Sequence, residues 1–242
     1  MNLYELITQI HSNGLELKHI QRILADVVDA LEKIHSLGYV HGDIKPENIV
    51  VMNGGAIHVA LIDLGGAIPV NGELISYAVS RFYRPPEIVL RLPFSYSLDI
   101  WSLGCVAAEL FMSQPLFLAA NQMNLIHLIT KRMGPIPQHM IDSSPIKNQF
   151  FKKDSTLKDE LTYCKEHNKL PSPNPDIYIH ELLNDIIINN RYRADITEEE
   201  TQLETNNRET FVDLLKKMLS IDPNERISLQ GIREHPFMNL AL

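Results

Sequence analysis

Residues 41 to 63 constrain the fold of this chain more tightly than any other stretch. They begin His41-Gly42-Asp43-Ile44-Lys45-Pro46-Glu47-Asn48, which sets a carboxylate, a cation and an amide (Asp43, Lys45 and Asn48) within a few positions of one another. Two strand-like runs follow, IVVM at 49–52 and IHVALI at 57–62, separated by the turn-forming Asn53-Gly54-Gly55-Ala56. This pattern predicts a hairpin. A hairpin brings the residue before its first strand beside the residue after its second, so Asn48 and Asp63 should meet at the open end. Two oxygen ligands then converge, which suits a hard ion such as Mg²⁺. A lone Asp-Leu-Gly is ordinarily a carboxylate capping a turn. Two such clusters with a hairpin between them favour a ligand site.

The remaining composition narrows the class. The 242 residues could form one large domain or two small ones, and 45% hydrophobic content supports a substantial core. No apolar run approaches the roughly 18 residues of a spanning helix, and MNLYELITQIHSNG lacks a basic region followed by an apolar block. The expectation is an intracellular protein of cytoplasm or nucleus with no membrane partner. Cys105 and Cys164 have no metal-ligand spacing, which suits a reducing compartment, and Cys105 reads as a buried helix residue. A net charge of -8 argues against nucleic acid as a partner. Part of that charge lies in ITEEETQLE at 196–204, read as a solvated segment.

Apolar spacing predicts a mostly helical remainder. A short helix covers 2–10 and ends at His11-Ser12-Asn13-Gly14. Ile20, Ile23, Leu24, Val27, Val28, Leu31 and Ile34 mark a strongly amphipathic helix from Leu17 to His35, closed by Ser36-Leu37-Gly38. DIWSLGCVAAELFM at 99–112 is apolar on nearly every side, as in a helix buried at the centre of a domain. Asp99 at its start reads either as a helix cap or as a cap that also anchors something else. Helices are also expected at 121–133 and 210–219, with 142–180 irregular with short helices at best, and 181–210 a short helix followed by the acidic run.

These motifs resemble a eukaryotic protein kinase. H-G-D-I-K-P-E-N is similar to the kinase catalytic loop, Asp63-Leu64-Gly65 to D-F-G, and Ser80-Arg81-Phe82-Tyr83-Arg84-Pro85-Pro86-Glu87 to the end of an activation segment with Pro85 for Ala. D-I-W-S-L-G-C at Asp99, D-P-N-E-R-I-S at 222–228 and H-P-F at 235–237 complete the order. The resemblance implies Asp43 as the base that orients and accepts the proton of a hydroxyl, Lys45 as the cation offsetting phosphoryl charge, and Asn48 and Asp63 as holders of Mg²⁺ and thereby ATP. It places Ser80 against Asp43 and Lys45, and Arg81 and Arg84 facing anions, either substrate phosphate or a modified Tyr77. His41 and Asp99 become structural supports of the loop, and Glu87 and Arg226 a buried ion pair. Within kinases the S-R-F-Y-R form and an insertion near 142–210 are similar to the group of cyclin-dependent, MAP and dual-specificity kinases, above all the dual-specificity tyrosine-regulated and homeodomain-interacting kinases. Gly42 stands where most kinases carry Arg, which removes one phosphate receiver. Tyr77 matches a position such kinases autophosphorylate, although Ile75 replaces the first Tyr of their Y-x-Y.

The implied fold is mostly α with a small β-hairpin, a kinase C-terminal lobe over residues 1–242, with the catalytic loop at 41–48 and the activation segment at 63–87. No G-x-G-x-x-G and no V-A-I-K occurs, so the N-terminal lobe that roofs ATP is expected to be missing and the chain nearly inactive alone. The implied function is a protein Ser/Thr kinase acting on protein substrates. The alternative is a non-catalytic pseudokinase or interaction scaffold, with a partner chain covering the face of the missing lobe. A hydrolase built on His41 and Asp43 has no Ser or Cys nucleophile motif to go with them.

Overall fold

The structure, a computed structural model, describes residues 1–10, 13–52, 57–70, 72, 79–168, 171, 177, 182–190 and 197–242. Its elements are α1 (Leu3–Glu5, continued by a π-helical turn at Leu6–Ile10), α2 (Leu17–Ser36), β1 (Tyr39–Val40), β2 (Ile49–Val51), β3 (Val59–Leu61) and β4 (Ile68–Pro69). The helices α3 (Pro86–Val89), α4 (Ser97–Met112), α5 (Gln122–Met133), α6 (Gln138–Ser143), α7 (Lys147–Phe150), α8 (Glu160–Glu166), α9 (Leu183–Ile188), α10 (Glu198–Met218) and α11 (Leu229–Glu234) follow. Helix dominates, as expected. No helix among the described residues is long and apolar enough to cross a membrane.

The core is built around α4, on which every side chain from Ser97 to Phe111 is buried. α2 lays its apolar stripe, Ile20 to Leu31, against α4 and β3, while α10 packs on α4 from another side through Phe211, Leu214 and Leu215. Phe111, Phe211 and Phe237 form a run of aromatic contacts that carries the core to the end of the chain. Gln21 Nε2 fixes that end by donating to the carbonyls of Phe237 and Leu240. Gly14 serves more than a helix stop. A Cβ on it would lie 1.9 Å from the Phe111 carbonyl oxygen, so only glycine lets the chain pass the end of α4.

The predicted hairpin is present as β2 paired antiparallel with β3, Ile49 opposite Leu61 and Val51 opposite Val59, while its turn at 53–56 lies outside the described residues. A second small sheet was not foreseen. β1 pairs antiparallel with β4 and folds the segment after Asp63 back across the entrance to the catalytic loop.

The acidic run differs from the expectation of a polar segment distinct from a following helix. Residues 198–218 form one continuous helix, started by a capping box in which Thr197 and Glu200 bond each other's main chain. Glu198, Glu199 and Glu200 face the positive end of its dipole. Its buried face begins only near Arg208, which is why apolar spacing reveals the second half alone. Arg208 itself donates through Nη1 to the carbonyls of Ile188 and Asn190, tying α10 to the end of α9.

Candidate active site

The segment 41–48 is held from beneath by Asp99. Its carboxylate accepts from the His41 N–H at 2.8 Å, the Gly42 N–H at 2.9 Å and His35 Nε2 at 2.8 Å, and its side chain is wholly buried. The N-cap of α4 is Tyr96, so Asp99 turns its oxygens to the loop and not to its own helix. Of the two sequence readings, anchoring is the one observed. His35, on the last turn of α2, is a third partner that no local motif signals.

His41 works as a staple between loop and hairpin. Its Nδ1 accepts from the Asp43 N–H at 3.2 Å and its Nε2–H donates to the Ile62 carbonyl at 3.0 Å, a pattern that assigns the neutral Nε2–H tautomer. Between them Gly42 takes φ +77°, and a Cβ there would approach the Gly66 carbonyl oxygen to 3.2 Å. The backbone at 42 is therefore close against the segment that follows Asp63.

Asp43 lies at the centre of a polar cluster. Its Oδ2 accepts from Lys45 Nζ at 2.6 Å and Asn48 Nδ2 at 3.0 Å, and its Oδ1 accepts from Ser80 Oγ at 2.8 Å. Partial burial pushes the Asp43 carboxyl upward, but the bonds from Lys45, Ser80 and Asn48 and the Lys45 charge outweigh it and hold the group below its ordinary value. The carboxylate is thus ionised at neutral pH and aimed. Lys45 Nζ lies 3.5 Å from Ser80 Oγ as well, so one cation spans the carboxylate and the hydroxyl beside it.

Asn48 and Asp63 stand at the open end of the hairpin, as predicted. The Ile62 N–H donates to the Asn48 carbonyl at 2.9 Å, which sets Asp63 one residue beyond that joint. The Asn48 amide spends its NH₂ on Asp43 Oδ2 and on the Asp43 carbonyl at 2.9 Å, leaving its side-chain oxygen for another partner. Asp63 adopts φ 66°, ψ 73°, uncommon for a residue with a Cβ, and its Oδ1 accepts from the Gly65 N–H at 3.2 Å. A carboxylate and an amide oxygen at the open end of one hairpin are hard donors of the kind that fits Mg²⁺, an ion that takes few protein ligands.

The segment 80–87 lies against this cluster through Ser80. Arg81 Nη1 donates to the Ala120 carbonyl at 2.5 Å, and Arg84, buried, donates from Nε and Nη2 to the Val79 carbonyl at 3.0 and 2.6 Å. Both guanidinium groups thus brace main chain, a use the sequence did not reveal. Tyr77 lies outside the described residues. Glu87 and Arg226 meet as a buried pair. The sequence also gave no sign of Tyr83 and Glu109, whose hydroxyl and carboxylate bond at 2.8 Å inside the core. Burial, with the Glu47 charge adding to it, raises Glu109 to about 7 against the lowering effect of the Tyr83 bond.

The sequence profile of the protein kinase domain matches residues 1–238. The chain belongs to the protein kinase family. Among curated relatives, the chain is 36% identical over 249 residues to mouse homeodomain-interacting protein kinase 2, covering 99% of the chain and 21% of that protein. It is 34% identical over 250 residues to the dual specificity protein kinase YAK1 of Saccharomyces cerevisiae, covering 98% and 31%. With the serine/threonine-protein kinase ppk15 of Schizosaccharomyces pombe the identity is 31%, covering 100% and 46%. The chain therefore spans about a fifth to under a half of the length of these relatives.

Proposed function

We propose that this chain carries the substrate and metal half of an ATP-dependent protein Ser/Thr kinase acting inside the cell. The observation that carries the reading is the Asp43 carboxylate held by Lys45, Asn48 and a hydroxyl, Ser80 Oγ, at 2.8 Å. That hydroxyl sits at hydrogen-bond distance on the oxygen that an acceptor side chain would use. Asp43, ionised and oriented, would receive a Ser or Thr hydroxyl and take its proton as that oxygen bonds to the γ-phosphorus and the bond from phosphorus to the departing ADP oxygen breaks. Lys45 neutralises negative charge gathering beside the same carboxylate. Asn48 and Asp63 would hold Mg²⁺, which would supply positive charge to offset that of the ATP phosphates. Asp99, through the Gly42 and His41 N–H groups, keeps Asp43 in place. Tyr77 is assigned as a site of autophosphorylation with Arg81 and Arg84 as its neighbours in sequence.

Further protein covers the hairpin end in the active enzyme. Met1, Met52, Ile62 and Leu64 are 44 to 58% exposed along the hairpin and beside Asp63, an apolar grouping that a working domain ordinarily covers. The greater length of the relatives supports the same reading. The chain by itself then has little activity. The test is Mg²⁺-dependent transfer of labelled phosphate from ATP to serine, threonine and tyrosine peptides by the protein from its native source, compared with Asp63→Asn. Transfer to serine or threonine whose Mg²⁺ requirement rises in Asp63→Asn is expected. Absence of transfer by the native protein would turn the reading to an interaction scaffold.

A further inference from the structure

The cleft that opens beside Ser80 has a cationic wall that phosphoryl transfer does not use. It encloses about 770 Å³ between α3, the start of α5 and α8, and its lining includes Ser80, Arg81, Arg84, Arg91, Gln149 and His167. Among the described residues no Asp or Glu lines it, in a chain of net charge -8. Glu160, bonded to the lining Asn121 at 3.1 Å, is the nearby carboxylate already engaged.

Arg91 is the informative member. It is exposed and takes φ 54° just past Leu90, the C-cap of α3, a left-handed position that glycine fills without strain and a long side chain does not. Its guanidinium has no hydrogen bond or ion pair among the described residues. Among the described residues no group uses that cation. Arg81 commits Nη1 to the Ala120 carbonyl, and His167 commits Nδ1 to the Tyr163 carbonyl at 2.8 Å while its ring stacks on Tyr163 at 4.2 Å. These bonds fix two further cationic or protonatable groups on the same wall. Ser80 belongs both to this cleft and to the Asp43 cluster, so the cleft begins where the acceptor hydroxyl would lie.

We propose that this cleft binds an acidic stretch of the substrate peptide lying a few residues from the acceptor, with Arg91 as a specificity-determining contact. The occupant is chosen by charge: carboxylates on the peptide meet an unpaired guanidinium and find no acidic wall to oppose them. The inference rests on the kinase reading only for the location of the acceptor.

The test is fluorescence anisotropy of labelled peptides with alanine in place of the acceptor serine, so that binding is read without transfer. One pair carries a run of glutamates, or glutamines in their place, just after the alanine, and a second pair carries it just before. The native protein is expected to prefer the glutamate form of one pair by about tenfold at low salt, with the preference shrinking as salt rises. In Arg91→Gly, which suits the left-handed backbone and so keeps the fold, the ratio should fall towards one. Arg91→Lys should retain most of it. A ratio near one in the native protein, or a ratio that Arg91→Gly leaves unchanged, would overturn the proposal. A glutamate preference that depends on Arg91 in a protein with no phosphotransfer would sink the kinase reading and leave the cleft; transfer without the preference would do the reverse.

Discussion

Arg226 and Glu87 form a two-pronged ion pair, Nη1 to Oε1 at 2.8 Å and Nη2 to Oε2 at 3.1 Å, with both side chains fully buried. Arg226 also donates to the carbonyls of Ser97 at 2.9 Å and Ser220 at 3.1 Å, and its guanidinium lies over the Trp101 ring. The pair therefore joins α3, the start of α4 and the loop after α10. Removing either partner leaves a buried charge unmatched. Arg226→Ala is expected to lower stability by about 3–5 kcal/mol, a fall in Tm of roughly 10 °C. Arg226→Lys should recover little, because an ammonium cannot serve two oxygens and two carbonyls in one plane. Thermal and urea unfolding check both.

Asp99 concentrates three donors from two distant parts of the chain on one carboxylate. In Asp99→Asn an NH₂ must face one of those donors, so the expected loss is about 2–3 kcal/mol. The damage should also fall on turnover more than on substrate affinity, because Asp43 is positioned through this loop. Urea unfolding together with steady-state kinetics separates the two effects.

Gly42→Ala tests the close approach within the loop. At φ +77° and with the Gly66 oxygen 3.2 Å away, an added methyl is strained twice over. A loss of about 1–2 kcal/mol is expected, measured as a shift of the urea midpoint.

Glu109 gives the fold a pH dependence of unusual sign. Its pKa is raised to about 7 in the folded state by burial and by the Glu47 charge, so the folded chain holds a proton there that the unfolded chain has released. Stability from this group is present below the ordinary Glu range and is lost as pH climbs towards 7, by an amount on the order of 3 kcal/mol. Glu109→Gln keeps an acceptor for the Tyr83 hydroxyl and removes the titration. The variant should match the parent near pH 5 and exceed it in stability near pH 8, as read by urea unfolding at both values.

What the sequence disclosed follows from how far each signal reaches. The hairpin, α2 and α4 are written in local apolar spacing, and Asn48 and Asp63 were placed together by hairpin geometry alone. Asp43, Lys45 and Asn48 share one short loop, so their meeting was visible as well. The β1–β4 pair was not legible, because each strand has two residues and Pro69 sits in one of them. The start of α10 was hidden because its first turns bury nothing and depend on the Thr197–Glu200 box. His35, Glu109 and Arg91 act through partners or a cleft distant in sequence, or through a backbone angle, and no spacing rule reports either. Arg81 and Arg84 show the limit from the other side: a cation near an activation segment suggests an anion, while here main-chain carbonyls take much of the guanidinium.

The measurement that tests the account most directly is Mg²⁺-dependent phosphorylation of a serine peptide by the protein from its native source, set against Asp43→Asn prepared in the same way. Asparagine preserves the shape of the cluster but cannot take the hydroxyl proton. The account predicts that transfer falls by about 10²–10⁴-fold while the unfolding midpoint stays near that of the parent. Transfer at the parent rate by a folded Asp43→Asn protein would contradict it.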